Sequence, residues 1–220
     1  MGKWKDDNEL SIQSHLAKPP AILLKAVKKL RGDQQVRKGC MSQYIEQALH
    51  LLSVLPDVDD PSFPGWEEDR LFRANYTHID RENDCSKCDP VQTIGRLPRM
   101  SNSPIVHYGL IASGNAVMRN ASLRDRLRDA WDVLCFEMEA AGLMDHFPCL
   151  VIRGLCDYSD SHKTKMWQPY AALVAAAYAK DLLRVIGSEQ IKNTEVATSL
   201  MEDGTFSPPQ STRGLAKKRS

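Results

Sequence analysis

Three carboxylates stand where apolar runs give way to polar sequence. Glu137 and Glu139 follow the run Val-Leu-Cys-Phe at 133–136, and Asp157 follows the longer run at 149–155. Short continuous runs of Val, Leu, Ile and Phe suit buried parallel strands. Acids at the exit of such strands sit at the edge where open α/β sheets take ligands. Glu137, Glu139 and Asp157 are therefore the first candidates for chemistry. The plainer reading of each is a solvated carboxylate or one that covers a helix N-terminus, and Glu137 equally suits a pairing with an arginine. Arg153, inside the second run, is expected to pair with a buried acid rather than with phosphate.

A second cluster is Cys85-Ser-Lys-Cys88, a CxxC with His78 seven residues before it. Zinc prefers four ligands, and no second Cys or His pair follows. Cys85 and Cys88 are thus weak metal candidates beside two plainer readings, a local disulfide or two free thiols pinning a turn. No metal and no organic cofactor are expected. Of the six cysteines, Cys135, Cys149 and Cys156 lie in apolar surroundings where cysteine behaves as a small hydrophobe. Nothing resembles a disulfide framework, which points to an intracellular, cytoplasmic protein.

The elements that must hold these residues follow from periodicity. Residues 138–147, between the two runs, carry Ala140, Ala141, Leu143, Met144 and Phe147 at helical spacing, which makes the whole stretch a β-α-β unit. Upstream, 104–113 predicts another buried strand ended by Gly114-Asn115, and 122–130 a short helix capped by Ser122. Residues 21–31 place Ile22, Leu23, Ala26, Val27 and Leu30 on one helical face and Lys25, Lys28 and Lys29 on the other, a basic face that is expected to be solvated. A second helix is expected over 41–55, stopped by Pro56, and a long Ala-rich one over 167–186, ended by Gly187.

Residues 57–99 are different. They hold four of the twelve prolines amid mixed charge and aromatics, and predict a long irregular insertion with one strand-like or helical turn around 71–76. Residues 188–220 have too little apolar sequence to fold and are expected to be a disordered tail.

Composition excludes several classes. With 29 basic and 28 acidic side chains the net charge is +1, so no global field argues for nucleic acid or a membrane surface. The apolar clusters are too short or too interrupted to span a bilayer. Residues 1–18 lack the hydrophobic core of a signal peptide.

In combination, three ordered segments resemble the purine and uridine phosphorylase superfamily. They are His107-Tyr-Gly-Leu-Ile-Ala-Ser-Gly-Asn115, Leu134-Cys-Phe-Glu-Met-Glu-Ala-Ala-Gly142 and Val151-Ile-Arg-Gly-Leu-Cys-Asp-Tyr-Ser-Asp-Ser-His-Lys163. The likeness is to the fungal branch, whose members often carry this domain at the start of a larger protein with repeat or nucleotide-binding modules. It implies an α/β, three-layer fold with a central mixed sheet flanked by helices, occupying 1–187.

The resemblance also implies cleavage of a nucleoside N-glycosidic bond by phosphate, as co-substrate, or by water. Such a reaction passes through a ribosyl cation-like state, and the base departs more easily once protonated. Asp157 would be the acid beside the base. Glu139 would accept the ribose hydroxyls, Met138 would lie against the sugar, and Val117 and Met118 would surround the base, with Glu137 in a less defined role. Members use a downstream arginine to assist proton transfer; here only Lys163 and Lys165 are near in sequence. Members also assemble as homo-oligomers.

The resemblance covers the domain only in part. The glycine-rich phosphate turn and opening strands of the family are not recognisable, so the sheet is expected to lack its early strands. The alternative is a catalytically inactive nucleoside-binding or oligomerisation module of a signalling protein.

Overall fold

The computed structural model describes residues 2–5, 9–12, 18–79, 84–144 and 147–187, with only the backbone described for 2–5 and 9–12. The chain divides into units 1–186 and 187–220. Of the second only Gly187 is described, so the tail expected at 188–220 lies outside the described residues.

Three helices form the largest core. α1 (Ala21–Gln35) starts after Pro20 and runs one turn beyond the expected 21–31. α2 (Met41–Leu52) ends before Pro56, with Val54 and Leu55 left exposed. α5 (Gln168–Arg184) is the Ala-rich helix. The apolar stripe read from α1 is the one that packs: Ala26 and Leu30 are buried, with Ile22, Leu23 and Val27 against the same cluster. Met41, Ile45, Leu173, Ala177, Tyr178, Leu182 and Ile186 complete it. Truncating a fully enclosed side chain such as Leu30 to alanine costs about 2–5 kcal/mol.

One buried acid ties α5 to the start of α2. Asp181 on α5 is wholly enclosed; its Oδ2 accepts the Cys40 backbone N–H at 2.8 Å and its Oδ1 accepts from Arg184 Nε at 2.9 Å. Cys40 is the N-cap of α2, so the carboxylate satisfies an amide that the helix itself leaves orphaned.

The sheet is smaller than expected. β1 (Gly2–Lys5) and β2 (Glu9–Ile12) form an antiparallel pair, with Gly2 opposite Ile12. β3 (Leu110–Ser113) and β4 (Val133–Glu137) form a parallel pair, with Ser113 opposite Glu137 and an irregularity between Leu110 and Ile111. The right spacing for a crossover comes from α3 (Ala121–Trp131), whose Leu123 and Leu127 pack with Met118 and with Phe136 of β4. The chain is thus mixed α/β.

Two strand expectations are corrected. Residues 104–109 and 149–155 take no strand pairing among the described residues. Both still pack on the helical core through Val106, Tyr108, Leu150 and Ile152. They have the side chains of buried strands, but a strand exists only by hydrogen bonding to a neighbour. The β-α-β unit therefore reduces to β4, the short α4 (Ala140–Met144) and an extended segment. Tyr108 is tied to both sides of the core, its hydroxyl 3.3 Å from Gln34 Oε1 on α1 and 3.3 Å from the Tyr178 hydroxyl on α5. Gly154 approaches α5 so closely that a Cβ there would lie 2.0 Å from the Ala171 carbonyl oxygen.

The cap of α3 is also corrected. Asn120, not Ser122, fills it, its Oδ1 accepting the Leu123 N–H at 3.1 Å. Ser122 Oγ instead lies 3.5 Å from the Ala74 carbonyl.

The insertion at 57–99 is irregular, as its composition predicts, but it has a small core of its own. Two single-turn 3-10 helices, Trp66–Glu68 and Pro90–Gln92, flank a bridge between Phe72 and Thr93. Phe72, Cys85 and Cys88 are buried together, with Tyr76 beside them. No helix among the described residues is long and apolar enough to cross a membrane.

Candidate active site

Asp157 sits where the extended segment 149–155 turns back. Its Oδ1 accepts the Ser159 N–H at 2.8 Å, an Asx-type turn that helps hold Ser159 at a φ of 55°, uncommon for a residue with a Cβ. The same oxygen receives Lys163 Nζ at 2.7 Å. Cys156 Sγ lies 3.6 Å from the other oxygen, Oδ2, and burial first, then the neighbouring carboxylate, pushes that thiol up. Asp157 and Arg153 both line a cavity of about 660 Å³, to which the insertion contributes Phe63, Trp66 and Asp69.

The insertion clamps the loop that carries the acid. The Tyr158 hydroxyl donates to Asp69 Oδ1 at 2.5 Å and accepts from Arg96, which also pairs with Asp69 at 3.0 Å. Burial, then this bond to Asp69, pushes the Tyr158 hydroxyl up to about 12. Ser161 Oγ accepts the His78 backbone N–H at 3.0 Å, and Trp167 Nε1 donates to the Glu68 carbonyl at 3.1 Å. His162 stacks on Phe72 with ring centroids 4.0 Å apart, and burial holds its imidazole below the ordinary range. Arg124 of α3 closes the far side, donating to the Tyr158 carbonyl at 2.7 Å.

The three candidate acids are placed in three different ways. Glu137 is 5 % exposed; its Oε2 accepts the N–H groups of Glu139 at 2.9 Å and Ala140 at 2.7 Å, covering the start of α4. That is the plainer reading of a strand-end acid, and the arginine pairing open to Glu137 goes to Glu139 instead. Its Oε1 is buried without a partner among the described residues. Glu139 is open, its Oε2 3.0 Å from Arg153 with side chains 63 % and 41 % exposed. Arg153 thus pairs with an acid, as expected, but with an exposed one. Arg153 lines the cavity with Asp157, whereas Glu137, Met138, Glu139, Val117 and Met118 do not.

The other candidates divide. Met138 and Val117 are exposed, whereas Met118 is buried with Leu123 and Leu127 under α3. His107 lines the cavity.

Two relationships become specific only in the fold. Lys163 is adjacent to Asp157 only because the Asx turn folds the chain back over six residues; the spacing alone left Lys163 and Lys165 equivalent, and Lys165 is exposed. The thiols of Cys85 and Cys88 are free and buried, and a His78 ring nitrogen joins them, the ligand atoms all lying within 4.8 Å of one another. Burial, then the adjacent Cys88, pushes the Cys85 thiol up to about 11.

The chain is similar to two kinds of curated protein. Over 192 residues, 87 % of this chain, it is 41 % identical to a nucleotide-binding leucine-rich repeat (NLR)-like protein of Hyaloscypha variabilis, of which it covers 18 %. Over 86 residues, 36 % of this chain, it is 36 % identical to the ATP nucleosidase Cap17 of Escherichia coli, of which it covers 17 %. The chain therefore spans less than a fifth of the length of these relatives. No family profile matches it, and no solved structure does.

Proposed function

We propose that this chain carries the leaving-group half of a site that cleaves the N-glycosidic bond of a purine nucleoside or nucleotide. The observation that carries the reading is Asp157 on the cavity wall, held by Lys163 and the Ser159 N–H. The partial likeness to an ATP nucleosidase supports it and favours an adenine nucleotide among purine substrates.

In the reaction the bond between C1′ and the base nitrogen breaks, and its electron pair goes to the base. Asp157, whose Oδ1 is taken by Lys163 and the Ser159 N–H, carries a proton on Oδ2 and gives it to a base ring nitrogen, so the base leaves neutral. Water or phosphate oxygen forms the new bond to C1′, and the proton lost by that nucleophile restores the acid. Lys163 meets the charge that Asp157 acquires as the proton departs. Glu139 accepts the ribose hydroxyls, oriented by Arg153, with Met138 against the sugar. Glu137 fixes the backbone between β4 and α4 that presents both residues. Of Val117 and Met118, Val117 is the one exposed to meet a base, and buried Met118 anchors it.

A second reading, a non-catalytic nucleoside-binding or oligomerising module, is favoured by the NLR-like relative, of which this chain covers 18 %. It is also favoured by apolar side chains left open on β3, β4 and the two extended segments, Leu110, Leu134, Ile105 and Leu155.

One experiment separates them. The chain is incubated with adenosine and with ATP, with and without phosphate, and free base is quantified. Base release that falls by about 10²–10⁴ in Asp157→Asn supports the enzyme. Equal, slow release by wild type and variant, with saturable nucleoside binding, sinks that reading in favour of the second. Dependence on phosphate distinguishes phosphorolysis from hydrolysis.

A further inference from the structure

The CxxC of the insertion is not absorbed by the glycosidic site, yet the fold gives it a third partner. Cys85 and Cys88 lie at the two ends of one tight turn, closed by the Cys88 N–H on the Cys85 carbonyl at 3.2 Å. Asp84 braces that turn, its Oδ1 accepting the Ser86 N–H at 2.9 Å. Both sulfurs point inward, the cysteines being 4 % and 7 % exposed. His78 reaches them from the irregular segment before the turn, and its Nε2 lies 2.7 Å from the Asp84 carbonyl. Imidazoles that ligate metals are commonly oriented in this way by a backbone carbonyl.

We propose that His78, Cys85 and Cys88 form a zinc site that clips the insertion to the loop bearing Asp157. Two thiolates and an imidazole are a donor set that suits zinc rather than a hard cation. Each cysteine that ligates releases its thiol proton to solvent. A tetrahedral ion keeps one further position. Beside the cluster stands His162, its ring centroid 5.4 Å from that of His78 and its Nε2 buried with no partner among the described residues. An unpaired buried nitrogen is costly, and a metal-bound donor is one way to relieve it.

The placement gives the ion a purpose independent of whether Asp157 is catalytic. His78 donates its N–H to Ser161 Oγ at 3.0 Å, and Cys85 Sγ lies 3.9 Å from the His162 carbonyl. Ordering the thiol turn therefore orders 157–163. The competing account is that the two thiols merely fill the small core around Phe72.

The test uses the whole chain, purified under reducing conditions. Zinc content is measured by elemental analysis after dialysis against zinc and then against zinc-free buffer. We expect roughly one zinc per chain, retained through dialysis, and its loss in Cys88→Ser and His78→Asn. To separate loss of the ion from unfolding of these variants, wild-type chain is also loaded with cobalt(II). A tetrahedral thiolate site gives a strong near-ultraviolet charge-transfer band and intense visible absorption. Little retained zinc in the wild type, or full retention by Cys88→Ser, overturns the proposal. So does a weak, octahedral cobalt spectrum without charge transfer.

Discussion

Lys163 Nζ lies 2.7 Å from Asp157 Oδ1, both side chains about four-fifths enclosed, at 21 % and 18 % exposure. The pair spans six residues and exists because the Ser159 N–H folds the chain over the same carboxylate. A cation so placed can hold the acid in one orientation and meet the charge left when a proton departs.

Lys163 is accordingly a positioning residue. Lys163→Ala should lower the turnover of base release by about tenfold to a hundredfold, in line with the loss of one charge-assisted hydrogen bond. Lys163→Arg should recover much of it, and KM should move little. Steady-state kinetics on the three proteins reads this directly; equal losses in Ala and Arg variants would point to a packing role instead.

Glu139 and Arg153 make an open ion pair, and open pairs contribute about 0–1 kcal/mol. Glu139→Gln should therefore leave the melting temperature almost unchanged. Loss of the ribose hydroxyl contacts should nevertheless weaken nucleoside binding by about tenfold or more. Calorimetric titration beside a thermal melt checks both halves.

Asp181 is enclosed and satisfies the Cys40 amide and Arg184. Asp181→Ala orphans the amide that starts α2 and should cost about 3 kcal/mol, a loss of roughly 6–12 °C in Tm for a chain of this size. A variant that melts within a degree of wild type would contradict the assigned role.

The Tyr158 hydroxyl has a direction to its pH dependence. Its folded pKa of about 12 lies above the unfolded value near 10, so the folded state holds its proton more tightly. That stability is fully present below about pH 10 and is lost as pH rises through about 12. Tyr158→Phe has no such proton, so the gap in stability between wild type and variant should narrow between pH 10 and 12. Denaturant melts at pH 8, 10 and 11.5 measure the gap.

Much of the architecture was legible locally. The 3.6-residue stripes of α1, α2 and α5 appear where the spacing of Ala26, Leu30, Ile45 and Leu173 puts them. The C-terminal ends of α1 and α2, at Gln35 and Leu52, shifted by about a turn, whereas the start of α2, where Asp181 takes the Cys40 amide, fell where expected. The run at 133–136 is a strand as expected, while 104–109 and 149–155, equally apolar, have no ladder. Apolarity marks a segment that wants burial; it does not supply the neighbour.

The amino-acid order by itself determined the helices, the irregular insertion and the acids at the ends of apolar runs. Each depends on hydrogen bonds or periodicity within a few residues. Tertiary structure decided which acid was spent on a helix start, which met Arg153 and which was joined to Lys163 beside the cavity. It also brought His78 to the Cys85–Cys88 turn and set both against 157–163. Side chains far apart in the chain share a site only after the backbone has satisfied its own donors and acceptors, and no spacing in the sequence encodes that outcome alone.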